Sequence, residues 1–182
     1  LNAADYFAAN NMEFNTVVFV DQDEVVKAYE DGRCDVYTTD GSALAAERSK
    51  FANPAEHVIL PEIISKEPLG PVVRQGDDRW FKINRWAYFA LLEAEELGVS
   101  SANVDEMLGS DNPAVKRLLG VEGEFGTPIG LPNDWAYRII KLVGNYGESF
   151  ERNVGPNTDI GLERGLNALW TDGGLQYSAP IR

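Results

Sequence analysis

The chain is poor in the groups that several kinds of chemistry need. Its 182 residues include one cysteine, Cys34, and one histidine, His57. A single thiol cannot close an internal disulfide. A single imidazole with no second His or Cys at ligand spacing does not make a zinc site, so neither a disulfide scaffold nor a metal centre is expected. Basic residues are outnumbered: 16 Lys and Arg stand against 29 Asp and Glu, a net charge of -13. Binding to a phosphate backbone relies on clustered Lys and Arg that displace counterions, which makes nucleic acid and anionic membrane surfaces poor partners. No apolar run approaches the roughly 20 residues that cross a bilayer as a helix. The glycines of residues 120–130 lack the Gly-Lys-Ser/Thr of a P-loop and any strand before them, so no nucleotide is implied and no cofactor is expected.

What is present is the composition of a globular protein, 44% apolar and 25% charged, at a length that supports one good core or two small ones. Residues 2–10 read as a helix. The unbroken Val17, Val18, Phe19, Val20 is the pattern of a strand buried on both faces. Asp21 and Glu24 form a capping-box-like start, Val25, Val26 and Tyr29 give a helical stripe, and Gly32 sits where a helix-ending glycine belongs. A second strand runs to Val36 and Tyr37, and the polar elbow Thr38 to Gly41 opens another helix carrying Leu44, Arg48 and Phe51. Residues 57–64 predict a strand interrupted by Pro61, hence an edge strand, and residues 67–74 a further one stiffened by Pro68 and Pro71. The fold class expected is therefore α/β with a parallel-rich sheet, followed by helices.

The longest helix opens after Gln75-Gly76-Asp77-Asp78. Trp80, Ile83, Ala87, Ala90, Leu91, Ala94 and Leu97 recur at three and four residues, and Gly98 ends it. Glu93, Glu95 and Glu96 are assigned to its solvated face, and the four tryptophans to core. Short helices are expected at 103–108 and 113–119, a longer one capped by Asn133 or Asp134 and ended by Gly144, a connector at 147–162, and a last helical turn or two around Leu166, Leu169 and Trp170.

The residues with the sharpest chemistry lie in the stretch 32–42, Gly-Arg-Cys-Asp-Val-Tyr-Thr-Thr-Asp-Gly-Ser. Asp40 is a carboxylate at the carboxyl end of a strand, and in open α/β sheets small ligands bind at that edge. A plain structural role, capping the helix that starts near Ser42, is equally compatible with the spacing. Thr39 beside it can add a hydroxyl or a backbone acceptor, and Gln22 ends the preceding strand on the same edge. Cys34, a small residue within a strand, is expected to be buried packing.

This stretch resembles the Gly-Arg-x-Asp strand of the periplasmic amino-acid-binding proteins that serve ABC importers. The run of residues 67–77, Glu-Pro-Leu-Gly-Pro-Val-Val-Arg-Gln-Gly-Asp, resembles the returning strand of that family. The closing run 164–182, with Gly-Leu-Asn-Ala-Leu-Trp and Gly-Gly-Leu, resembles its general L-amino-acid-binding branch. The resemblance implies a type II periplasmic-binding-protein fold, with residues 1–66 as an incomplete ligand-clasping α/β lobe, 67–76 as a hinge-crossing strand, and 77–182 as a helical part packed on a first lobe. It makes Asp40 the ligand for an α-ammonium group, assisted by Thr39, with Gln22 toward the distal group. No catalytic residue is implied. The implied partners are an L-amino acid and an ABC permease in the membrane, and the implied compartment is the periplasm. The chain starts at Leu1 without a signal peptide, so a processed or truncated polypeptide is expected. The half of the grip that holds the ligand's carboxylate would then lie elsewhere, and the stretch alone would bind weakly or not at all. Two other functions fit the same residues. One is a dehydratase-like enzyme on this fold, which needs a second acidic group facing Asp40. The other is a non-binding scaffold that self-associates through apolar surface.

Overall fold

The computed structural model describes residues 2–66 and 68–182. Leu1 and Glu67 lie outside the described residues, and with Glu67 goes the first residue of the expected hinge strand. The chain divides into two compact units, Leu1–Leu69 and Gly70–Arg182.

The first unit holds three short helices, α1 (Asn2–Ala9), α2 (Gln22–Glu30) and α3 (Gly41–Arg48), and a 3-10 turn at Pro54–Glu56. Asp21 caps α2 from an extended backbone, its carboxylate accepting from the Asp23 N–H at 2.8 Å. That bond goes to the second helical residue rather than to Glu24, so the cap is a simple one. Gly32, at φ +72°, turns the chain out of the helix.

Between the helices the chain runs without ladders. Among the described residues no strand pairs with another, and one isolated bridge joins Leu169 to Gln176. The parallel-rich sheet expected over 16–20, 32–37, 57–64 and 67–74 is thus not assembled among the described residues. A ladder needs a second backbone within hydrogen-bond reach. Val18 and Val20 are instead 82% and 105% exposed, the opposite of a strand covered on both faces.

The second unit is built on α4 (Asp78–Glu96), with α5 (Val104–Met107), α6 (Pro113–Leu118), α7 (Trp135–Val143) and α8 (Tyr146–Asn153). Asp77 caps α4 by accepting from the Trp80 N–H at 3.0 Å. The helix leans on α6, α7, α8 and the 3-10 turn Thr127–Ile129. Ala90 and Ala94, both fully buried, let the backbones approach, and Val99, Val115, Leu118, Leu119, Trp135 and Ile140 fill the space between. The apolar face of α4 therefore finds partners within its own unit. Gly120 (φ +75°) makes one tight passage possible, because a Cβ there would sit 2.1 Å from the Asn133 carbonyl oxygen.

Three further expectations are corrected. The presumed connector contains α8, started by a full capping box in which the Asn145 side chain accepts from the Glu148 N–H and Glu148 accepts from the Asn145 N–H. Trp80 and Trp170 are half exposed, whereas Trp135 is buried in the core and Trp86 packs against it. Glu93 is not solvated. It is buried, it accepts from the Ile181 N–H at 3.1 Å, and burial pushes its carboxyl above the usual range. Its neighbours are engaged too, Glu95 with Arg164 at 2.9 Å and Glu96 with the Trp170 indole N–H at 3.3 Å.

Candidate functional site

The first unit contains an open cleft of about 370 Å³. Two extended segments and one face of α2 line it. Val17, Val18 and Phe19 come from one segment, Cys34, Val36, Tyr37, Thr38 and Thr39 from the other, and Gln22, Val25 and Tyr29 from α2. Local sequence explains the arrangement. The β-branched residues favour extended backbone, and Asp21 and Gly41 start helices that leave the segments running toward the cleft. The walls are apolar and aromatic, with a polar rim of amide and hydroxyls, the usual make-up of a small-molecule site.

Of the three candidate ligand residues, Gln22 and Thr39 line this cleft. Asp40 is the next residue along and is half-buried. It occupies the N-cap position of α3, at φ -55° and ψ 140°, yet its side chain makes no cap hydrogen bond. The helix thus takes its start from Asp40 without using the carboxylate.

Behind the rim stands a residue that sequence reasoning missed. Glu47, on α3, accepts from Gln22 Nε2 at 3.0 Å and from Lys50 Nζ at 2.9 Å. It also faces Tyr37, whose hydroxyl is held above its ordinary pKa by burial first and by the Glu47 charge second, against a hydrogen bond with Thr39 and the Lys50 charge. No local pattern signals this hub, because Gln22 and Glu47 are 25 positions apart. Tyr29 Oη pairs with His57 Nδ1 at 2.9 Å, and the Phe51 ring lies tilted by 51° against His57 with ring centres 4.4 Å apart. Cys34 is only partly buried and lies at the cleft, a correction to its assignment as core packing.

Among the described residues, no group of three or more His, Cys, Asp or Glu side chains is placed to hold a metal ion. No described helix is long and apolar enough to cross a membrane. The carboxyl that burial raises, Glu93, lies in the second unit rather than at this cleft.

No protein-family model matches the chain. It is 59% identical, over its whole length, to the general L-amino acid-binding periplasmic protein AapJ of Rhizobium johnstonii, of which it covers 54%. The chain is homologous to the periplasmic amino-acid-binding proteins of ABC transporters. It is likewise 55% identical to the glutamate/glutamine/aspartate/asparagine-binding protein BztA of Rhodobacter capsulatus, again covering 54% of it. A solved ABC transporter periplasmic binding protein from Brucella ovis, with glutathione bound, superposes with a TM-score of 0.92 at 58% identity, over all of this chain and 57% of that one. The homologous chain here therefore spans about half the length of the curated relatives it matches. The periplasm is the compartment the homology indicates, and these relatives are named as binding proteins rather than enzymes.

Proposed function

We propose that this chain forms part of an extracytoplasmic receptor that captures L-amino acids for an ABC importer, and that Asp40 holds the ligand's α-ammonium group. The observation that carries this reading is the state of Asp40: a half-buried carboxylate beside a cleft, standing at a helix start whose cap bond it does not make. An ammonium group withdrawn from water needs a charge-assisted partner, and a carboxylate not spent on the helix is available to be one. Thr39 contributes a hydroxyl from the adjoining wall, and Gln22 faces the distal group of the ligand. No catalytic step is assigned.

In the same reading, residues 1–66 are most of one α/β lobe, 67–76 cross a hinge and 77–182 pack on the other lobe. The extended segments 16–20 and 32–37 then become strands of a parallel sheet whose remaining members lie in the length of the relatives that this chain does not span. A second ligand class is favoured by the glutathione in the Brucella ovis structure. The γ-glutamyl end of that tripeptide carries an α-ammonium and an α-carboxylate, the same head group as a free amino acid, so one grip serves both.

Calorimetry on the complete natural polypeptide, with a panel of L-amino acids and glutathione, tests the reading. Asp40→Ala should weaken binding by about a hundredfold or more, the scale of leaving a desolvated charge without its partner, while the melting temperature stays put. Undiminished affinity in that variant would rule Asp40 out.

A further inference from the structure

We propose that Glu47 is a positioning residue for ligand selectivity: it holds the Gln22 amide so that the cleft is offered an acceptor, which favours ligands whose distal group donates hydrogen bonds. The inference rests on the receptor reading above and adds to it a residue that does not touch the ligand.

Gln22 Nε2 donates to Glu47 Oε1 at 3.0 Å. A carboxylate has no proton to give, so the nitrogen end of the amide must be the end turned toward Glu47. The anchor is itself held. Lys50 Nζ lies 2.9 Å from the same oxygen, and the Glu47 side chain is only 15% exposed. Gln22 lines the cleft, and Glu47 is not among the lining residues. With one N–H of the amide held by a residue outside the lining, the nitrogen end is fixed and Oε1 is the acceptor on the opposite end of the amide.

A carbonyl oxygen accepts from a carboxamide NH2, an ammonium or a guanidinium group. It meets a distal carboxylate with a like partial charge and no proton between them. Lys50 Nζ, 2.9 Å from the Glu47 oxygen, offsets the Glu47 charge, so the preference rests on the amide oxygen itself. Glutamine-like and cationic side chains are therefore preferred over glutamate-like ones.

The test measures glutamine, glutamate and leucine affinities by calorimetry on the complete natural polypeptide. The wild type should prefer glutamine. In Glu47→Gln the neutral partner can donate as well as accept, so the Gln22 amide is free to turn over. The glutamine-to-glutamate preference should fall about tenfold, the scale of one charge-assisted hydrogen bond, while leucine, with no polar distal group, binds unchanged. Gln22→Met, at an exposed position, should remove the preference by itself, and adding Glu47→Gln to it should change nothing more. This last comparison separates action through Gln22 from a merely structural role, and Gln22→Met decides the matter even if Glu47→Gln fails to fold. A wild-type preference for glutamate, an unchanged ratio in either single variant, or a further shift in the double variant overturns the proposal while leaving the receptor reading intact. A wild type that binds no member of the panel overturns both.

Discussion

The two units handle their apolar side chains in opposite ways. In Gly70–Arg182 the helices turn Val99, Leu118, Leu119 and Ile140 inward until almost nothing of them meets water. In Leu1–Leu69 the buried apolar residues described are Ala28 and Ala45, while Val18, Val20, Val36, Val58 and Leu60 stand exposed. The difference follows from backbone chemistry. A helix satisfies its own N–H and C=O groups and needs only a face to lean on, whereas an extended segment must borrow its hydrogen bonds from a neighbour. The second unit therefore carries its own stability, and the first offers surface: a cleft, a rim and a carboxylate.

Hydrogen exchange read by mass spectrometry should sharpen this contrast most. Amides of α4 and α7 should exchange only through global opening. In the 182-residue polypeptide taken by itself, those of residues 16–20 and 57–64, with no ladder partner among the described residues, should exchange nearly unprotected, a gap of several orders of magnitude. Similar protection in the two sets would break the comparison. Next in size, Ile140→Ala should destabilise the second unit by about 2–5 kcal/mol in urea titrations, the range for emptying a filled core site. Val18→Ala in the 182-residue polypeptide by itself, where that side chain stands in water, should stay within about 0.5 kcal/mol of wild type.

The smallest effects concern pH within the second unit. Burial raises the Glu93 carboxyl and outweighs the Ile181 N–H and the Arg117 charge. Its folded pKa thus lies above its unfolded one, and its contribution is largest below the unfolded value and lost as pH rises through the folded value. Glu93→Gln should remove that loss and raise the melting temperature slightly at neutral pH. Glu148 runs the other way. Burial would raise it, but hydrogen bonds from Ser101 and the Asn145 N–H prevail and lower it. Its contribution is present above the unfolded pKa and lost as pH falls through the folded one. Glu148→Gln should therefore be weaker than wild type at neutral pH and converge on it in acid. Melts from about pH 3 to 7 in which the two variants share one slope would contradict this assignment.

Much of the second unit was legible. Asp77 and Gly98 bracket α4, Asn112 and Pro113 open α6, and Gly144 closes α7, all through spacings of a few residues. The start of α8 was readable from Asn145 and Glu148 and was overlooked because Tyr146-Gly-Glu-Ser-Phe-Glu-Arg-Asn carries so thin an apolar stripe. Glu93 misled for a different reason. Its helix neighbours Glu95 and Glu96 look solvated together with it, and nothing nearby announces that Ile181, 88 positions on, returns to cover it. At the cleft, the elbow Thr38 to Gly41 and the helix start at Gln22 could be read from punctuation alone. The Asp40 side chain's release from capping could not, nor could the hold of Glu47 on Gln22.

By itself the sequence determined where most helices start and stop, which stretches are extended, and, through identity along its length, which proteins it is similar to. Each of these rests on residues a few positions apart or on the string of letters as a whole. Only the tertiary structure decided which faces are covered, that α4 is packed by its own unit, and that the Gln22 amide donates to Glu47. Those outcomes are set by contacts between distant segments, and a contact has an energy only once the fold has brought its two halves together.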